Sequence, residues 1–330
     1  MGAGAERTRG YPVVLVIHGG AGNITRNNLS SRLQQRYRMG LERALTAGYR
    51  VLTSGGDSVE AVIAAITTME DSPWFNAGKG AVLTHDETVE LDASLMDGGS
   101  GLAGAVAGVK TIKNPIVAAQ RIMTHSPYVM LIAQGAEAFA RAEGLTMVDP
   151  EYFYTRRQLE RLRRRLKRQG EISRSQAGPP ENGSVFEGDN LGTVGAVALD
   201  RHGDIAAGTS TGGTIGKRYG RVGDSAVIGA GTYADNETCG ISATGHGEFF
   251  IRNVVAYDIA ARMKYRGQSL QEAAREVIGR KLGKIGGSGG VIGLDRRGHV
   301  IMEFNTPGMY RGFMKEKGKP SVFLFGDESP

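Results

Sequence analysis

The sequence predicts an α+β protein in which mixed sheets are covered by helices. Its 330 residues are 40% hydrophobic, enough to bury a sizeable core in one large domain or two small ones. Short apolar strand runs cluster instead of alternating strictly with helical runs, which disfavours a doubly wound parallel sheet. Glycine numbers 50, about twice its usual ~7% share, with only 10 Pro and no Gly-X-Y period; the excess therefore points to turns and close backbone approaches.

Taken in order, residues 12–18 form an apolar run read as a buried strand that enters a turn at Gly19, Gly20 and Gly22. Leu33, Tyr37, Leu41, Ala44, Leu45, Tyr49 and Leu52 recur at helical spacing, predicting an amphipathic helix over 31–53 that Gly55 and Gly56 end. Asp57 is placed to cap the next helix, 58–69. Strands follow at 81–84, 90–96 and 102–109, then helices starting near Pro115 and Pro127, where proline is tolerated in the first turn. Residues 154–169 read as a charged helix, and 170–190, poor in core residues, as a linker. Beyond it come strands at 193–199, 204–209, 226–229 and 241–244 and helices at 248–266 and 270–282. Two last strands, 291–294 and 299–304, are joined by a turn.

The formal charge is +6, but eight basic residues and one acid lie between Arg156 and Arg168, leaving the rest of the chain at about −1. Arg157, Arg161, Arg164, Arg165 and Arg168 share one helical side, which suits phosphates. Aromatic partners for base stacking are confined to Tyr152, Phe153 and Tyr154, so the run reads as a solvated tail and no nucleic acid is expected. The lone Cys239 excludes an internal disulfide, and no CxxC or HExxH pattern supplies a zinc site. Neither a secretory h-region nor an apolar run of ~18 residues is readable, so a cytoplasmic protein without membrane partners is expected. Matches to the glycosylation pattern at Asn23, Asn28, Asn182 and Asn236 are then read as chance.

The chemistry concentrates after the linker. Gly192 and Thr193 stand where a loosely composed segment becomes a buried strand. That placement suits attack of the Thr193 hydroxyl on the Gly192 carbonyl, which would free an α-amine of pKa ~7.7–8.0 to serve as base for the same hydroxyl. It equally suits a β-branched residue that merely opens a strand. His18 ends a strand before glycines and reads as a hydrogen-bonding structural residue in preference to a catalytic one. Ser288 sits in a G-x-S-x-G match, but a helix precedes it and a strand follows, the reverse of a nucleophile elbow, so it is rejected as a nucleophile.

Seven motifs in order resemble the plant-type asparaginase and isoaspartyl peptidase family of N-terminal-nucleophile hydrolases. They are His18-Gly19-Gly20-Ala21-Gly22, Phe75-Asn76-Ala77-Gly78-Lys79-Gly80, the stretch Glu90 to Gly98, Gly192-Thr193-Val194-Gly195, Gly208 to Gly213, Gly220 to Ser225, and Thr244-Gly245-His246-Gly247-Glu248. The resemblance implies a four-layer αββα sandwich and autocatalytic cleavage before Thr193, with 1–192 as the α subunit (basic linker 155–192) and 193–330 as the β subunit. One structural domain would be formed by both, and cleaved units would pair as an α2β2 homodimer. It implies hydrolysis of L-asparagine and β-aspartyl dipeptides, with no catalytic cofactor.

By the same resemblance Thr193 is the nucleophile and Thr211 a threonine beside it, while Asn76 supports the nucleophile. Thr244 and Gly245 would be the oxyanion donors. Arg221 would hold the substrate α-carboxylate and Asp224 its α-ammonium, and the glycines at 245 and 247 would keep side chains off the substrate. Main-chain carbonyls of Met69, Glu70, Ser72, Phe75, Ala77 and Lys79 would surround a structural sodium ion, although Lys79 departs from the apolar residue expected there and must point away. Glycosylasparaginase, which uses the same nucleophile, and an uncleaved binding protein with a basic tail are the rival readings.

Overall fold

The computed structural model describes residues 10–175, 192–315 and 318–329. The first half of the chain gives β1 (Val14–Gly22), α1 (Ser31–Thr53), α2 (Ser58–Glu70), β2 (Leu91–Asp97), β3 (Ala103–Val109), α3 (Pro115–His125), β4 (Met130–Ile132), α4 (Ala133–Ala142) and α5 (Arg156–Ser175). The second half begins with β5 (Val194–Leu199), β6 (Ile205–Thr211), β7 (Thr232–Ala234) and β8 (Cys239–Gly245). It continues with α6 (Gly247–Asn253), α7 (Val255–Arg266), α8 (Leu270–Ala274), β9 (Gly289–Asp295), β10 (Val300–Phe304), β11 (Gly308–Lys315) and β12 (Ser321–Phe325).

An eight-stranded sheet runs β12-β11-β1-β5-β6-β2-β3-β4, antiparallel except where β4 joins β3, and a four-stranded antiparallel sheet runs β10-β9-β8-β7. Helices α1, α2 and α3 cover the outer face of the large sheet, and α7 and α8 that of the small one. Stacked face to face, the two sheets and their helices make an αββα sandwich. Period-two alternation sorts each strand between layers. On β1, Leu15 and Ile17 pack on the helices while Val14 and Val16 face the second sheet; on β5, Ala196 and Ala198 go to the helices, and Val197 and Leu199 to the seam.

Where the elements differ from expectation, competing hydrogen bonds or backbone geometry explain why. The glycines after His18 do not turn the chain: β1 runs on to Gly22 through a bulge between His18 and Gly20. Gly19 is required there because a Cβ would collide with the Phe75 ring. Residues 81–84 form no ladder, since the Val82 N–H is taken by Asn76 Oδ1 and the Thr84 N–H by the Thr88 carbonyl. The helix expected at Pro127 starts at Ala133, after edge strand β4. A single helix over 248–266 is broken at Val254, whose φ of 48° lies in the left-handed region. At 226–229 no strand forms: a 3-10 turn, Asp224–Ala226, runs into the start of the stretch and Ile228 makes only an isolated bridge to Thr232, and α8 continues in wide π-type turns through Leu282.

The chain does not end its strands at Phe304. β11 and β12 extend the large sheet, and β11 pairs with β1. Nor is α5 a solvated tail in its first turns. Arg157 Nη2 donates to the Tyr37 hydroxyl at 2.6 Å, Gln158 Nε2 donates to the Gly80 carbonyl at 2.6 Å, and Leu162 is fully buried. Arg164 and Arg168 remain exposed. The predicted linker begins as helix up to Ser175, and its remainder, 176–190, lies outside the described residues.

Candidate active site

Alternation also builds the polar end of the seam. Continuing the inward face of β1 from Val14 and Val16 brings His18 to it, and continuing β5 back from Leu199 and Val197 brings Gly195 and Thr193. On β6 the same face carries Thr209 and Thr211. On β8, Ile241 and Ala243 pack on helices and leave Ser242 and Thr244 facing the first sheet. His18, Thr193, Thr209, Thr211, Ser242 and Thr244 are all buried.

Gly192 and Thr193 are consecutive in one continuous chain. The Gly192 carbonyl accepts from Asn76 Nδ2 at 2.6 Å and from Thr211 Oγ1 at 3.2 Å, and the Thr193 hydroxyl donates to Thr211 Oγ1 at 3.2 Å. Asn76 is itself fixed: Nδ2 also donates to the Gly213 carbonyl at 2.8 Å, and Oδ1 accepts from the Val82 N–H at 2.8 Å. Thr211 Oγ1 accepts from the Gly213 N–H at 3.0 Å, so its one proton is directed at Gly192. A peptide carbonyl thus lies in a two-donor cradle beside a buried hydroxyl.

Arg221, Asp224, Gly223 and Gly245 line the same cleft as Gly192, Thr193 and Thr211, and the cavity between them is about 10 Å³, room for roughly one water. Arg221 uses its Nε and Nη2 on Glu248, at 2.9 and 3.1 Å. Nη1 lies beside Gly213 and Gly223, on the cleft side. Burial pushes the Glu248 carboxyl up, but the bonds and charge of Arg221 outweigh it and hold its pKa below the usual range. Asp224 is buried with Oδ2 unpartnered, and burial, against the pull of Arg221, pushes its pKa up to about 7.

Gly247 is a glycine because a Cβ would press on Arg221 Nη2 at 2.8 Å and on Asp224 Oδ1 at 3.0 Å. Gly245 has a different reason: its Cβ would meet the Phe250 ring and the Ser288 carbonyl, not the cleft. Thr244 Oγ1 accepts from the Ala21 N–H at 3.2 Å, tying β8 to the end of β1. Ser288 lies just before β9, its Oγ 3.4 Å from His246 Nδ1.

Asn76 belongs to the loop whose carbonyls were expected to hold sodium. There a Cβ on Gly78 would overlap the Glu70 carbonyl, and one on Gly80 would overlap the Phe75 carbonyl and press on that of Ser72 at 2.9 Å. Carbonyl oxygens of Glu70, Ser72 and Phe75 therefore lie against the two glycines, and main-chain oxygens are the donor type that a hard monovalent cation takes. Lys79 turns its Nζ over the Tyr152 ring, 5.0 Å from the centroid.

Residue-by-residue reading missed the buried pair under the cleft. Lys217 Nζ donates to the Glu90 carbonyl at 3.0 Å and lies 3.8 Å from Asp92 Oδ2; burial lowers the lysine pKa and raises that of the aspartate. Missed too were Ser94, Thr232 and Ser242, whose polar positions in β2, β7 and β8 imitate a solvent face although they are buried.

A family model described as asparaginase matches residues 11–324. The isoaspartyl peptidase of Escherichia coli (strain K12) is 46% identical, covering 96% of this chain and 97% of its own length. The isoaspartyl peptidase/L-asparaginase of Bos taurus is 41% identical, covering 96% and 98%, and that of Homo sapiens 39%, covering 90% and 91%. No helix among the described residues is long and apolar enough to cross a membrane. The match spans both sheets and every residue of the cleft, and the chain belongs to the asparaginase and isoaspartyl peptidase family of N-terminal-nucleophile hydrolases.

Proposed function

We propose that the chain cuts itself between Gly192 and Thr193 and then hydrolyses the β-amide of L-asparagine and of isoaspartyl dipeptides. One observation carries the first step: the Gly192 carbonyl rests between Asn76 Nδ2 and Thr211 Oγ1 with the Thr193 hydroxyl on Thr211. Thr193 Oγ adds to the Gly192 carbonyl carbon, and the oxygen that becomes negative already has both donors in place, needing no reorganisation. The C–N bond breaks as the Thr193 nitrogen takes the proton that its own hydroxyl gave up on attack, leaving an ester. Water splits the ester into a Gly192 carboxylate and a Thr193 with free amine and free hydroxyl.

The roughly 10 Å³ cavity supports this order of events, because a substrate has no room until Gly192 leaves. In the mature site the Thr193 amine, of reference pKa ~7.7–8.0, accepts the proton of its own hydroxyl as that hydroxyl attacks the β-carbonyl. Arg221 Nη1 binds the substrate α-carboxylate and the unpartnered Asp224 Oδ2 the α-ammonium. Thr244 and the Gly245 N–H stabilise the new oxyanion. Ammonia or the C-terminal amino acid departs, and water releases aspartate from the acyl-enzyme. The carbonyls of Met69, Glu70, Ser72, Phe75, Ala77 and Lys79 would hold a structural sodium ion beside Asn76, and cleaved units pair as α2β2. The single buried Cys239 suits a reducing compartment, in keeping with a cytoplasmic enzyme.

Mass spectrometry of purified protein tests the reading. Two fragments meeting at Gly192 and Thr193 are expected, with hydrolysis of a β-aspartyl dipeptide by the cleaved form. Thr193→Ala is expected to remain one 35.1 kDa chain without activity. A Thr193→Ala chain that still splits overturns the mechanism, and faster release of sugar from a glycosyl-asparagine than of amino acid from a β-aspartyl dipeptide overturns the substrate.

A further inference from the structure

Behind the nucleophile lies a contact that the cleavage step does not use. His18 Nδ1 is 2.9 Å from the Thr193 carbonyl oxygen, and Nε2 is 3.0 Å from Ser242 Oγ. Thr193 stands just before β5, whose pairing with β1 reaches only to Gly195 opposite His18, so its carbonyl lies outside that ladder. A carbonyl only accepts, hence Nδ1 carries the proton. The ring is fully buried, and burial drives its pKa down to about 3, so it is neutral and Nε2 is bare.

That single tautomer orders a row of hydroxyls between the sheets. A bare Nε2 must accept, which commits the one proton of Ser242. Thr209 Oγ1, 2.7 Å from Ser242 Oγ, is then the only possible donor in that contact, its one proton lying between Ser242 Oγ and the Gly231 carbonyl at 3.0 Å, and Thr232 Oγ1 donates in turn to Thr209 at 2.6 Å. Ser94 Oγ, 2.8 Å from Thr232 Oγ1, ends the row. Gly195 makes the crossing possible: a Cβ there would overlap both Ser242 Oγ and His18 Nε2.

We propose that His18 is a positioning residue: its Nδ1–H tautomer, set by the Thr193 carbonyl and buttressed at Nε2 by the Ser242–Thr209–Thr232 row, grips that carbonyl and so orients the amine and hydroxyl of Thr193. The need is greatest after cleavage, when Thr193 has lost its covalent tether on the amino side. The proposal rests on Thr193 being the nucleophile, but its first test does not depend on turnover.

In 15N spectra of the wild-type protein with labelled histidine, His18 is expected to show a protonated Nδ1 and a bare Nε2 at neutral pH; a protonated Nε2 overturns the proposal. The second test compares two variants, with rates normalised to the cleaved fraction. An asparagine amide reaches the Nδ1 position and a glutamine amide the Nε2 position, so His18→Asn is expected to keep kcat within about threefold while His18→Gln loses about tenfold, KM staying constant in both. Equal kcat losses in the two variants reduce the ring to a space filler and overturn the proposal. Ser242→Ala removes the partner of Nε2 and is expected to lower kcat while the ring keeps its Nδ1–H against the Thr193 carbonyl; an Nε2–H ring in that variant overturns the proposal. A Thr193→Ala chain that splits would fail the nucleophile reading alone, leaving the ring tautomer as measured.

Discussion

At one end of the seam between the sheets, Val14, Val16, Val197, Leu199, Ile205, Ala207, Ile292 and Leu294 pack against each other. A few residues along β1, β5 and β6, on the same faces, stand His18, Thr193, Thr209 and Thr211, with Ser242 and Thr244 facing them from β8. Both ends are equally dry, so strand alternation decides what faces the seam, and position along the strand decides the chemistry. Leaving a buried hydroxyl without a partner costs about 1–3 kcal/mol, and this end tolerates its hydroxyls because each of these six side chains has a hydrogen-bond partner. Two carboxylate oxygens next to it make no hydrogen bond among the described residues: Asp92 Oδ2 has only the Lys217 ammonium, 3.8 Å away, and Asp224 Oδ2, in the cleft, has no partner. The satisfied groups hold geometry, and the Asp224 oxygen marks where a ligand brings the missing donor.

The largest effect separates the ends by function. Asn76→Ala removes one of the two donors on the Gly192 carbonyl, and cleavage measured by gel or mass spectrometry is expected to slow about 10²–10³-fold. At the apolar end Ile292→Val is expected to cost about 0.5–1.5 kcal/mol in denaturant unfolding and to leave the cleavage rate unchanged. Slower cleavage in Ile292→Val, or normal cleavage in Asn76→Ala, would break the division.

A pH profile comes next in size. Asp224 titrates near 7 and must be ionised to attract an ammonium group. The Thr193 amine, as base, gives an acid limb to both kcat and kcat/KM; below about pH 7 protonation of Asp224 in the free enzyme is expected to add a further fall of about tenfold per pH unit to kcat/KM alone, because bound substrate keeps Asp224 ionised. Equal slopes in kcat and kcat/KM assign the whole titration to the Thr193 amine instead. In Asp224→Asn the extra slope disappears and kcat/KM stays low throughout.

Much of the apolar end was legible in the sequence, and only part of the polar end. The runs at 12–17 and 194–199 are apolar throughout, and the helix 31–53 carries its period openly. β11 was hidden because Arg311 breaks its apolar run; the residue is buried there, donating from Nη1 to the carbonyls of Met309 at 2.9 Å and Phe325 at 3.1 Å. In β8, Ile241 and Ala243 alternate with Ser242 and Thr244, a pattern that normally signals one wet face. Here the polar face meets another sheet, which no local pattern records. His18 and Ser242 are 224 residues apart in sequence, so the relay exists only in the fold.

The smallest effect tests whether the polar end is ordered from His18 or merely crowded with hydroxyls. Ser94 is the far member of the row: its one proton has two acceptors in reach, Thr232 Oγ1 at 2.8 Å and the Ser225 carbonyl at 2.7 Å. If direction is imposed at the imidazole, Ser94→Ala leaves Thr232 donating to Thr209 and Ser242 donating to Nε2, and the Thr193 carbonyl stays held. Stability is then expected to drop by about 1 kcal/mol and kcat to stay within about twofold. KM is expected to rise a few-fold, about the loss of one weak hydrogen bond, because Ser225 follows Asp224 and loses its anchor. Should kcat fall as far in Ser94→Ala as in Ser242→Ala, the row would be a cooperative block whose order is not set by His18.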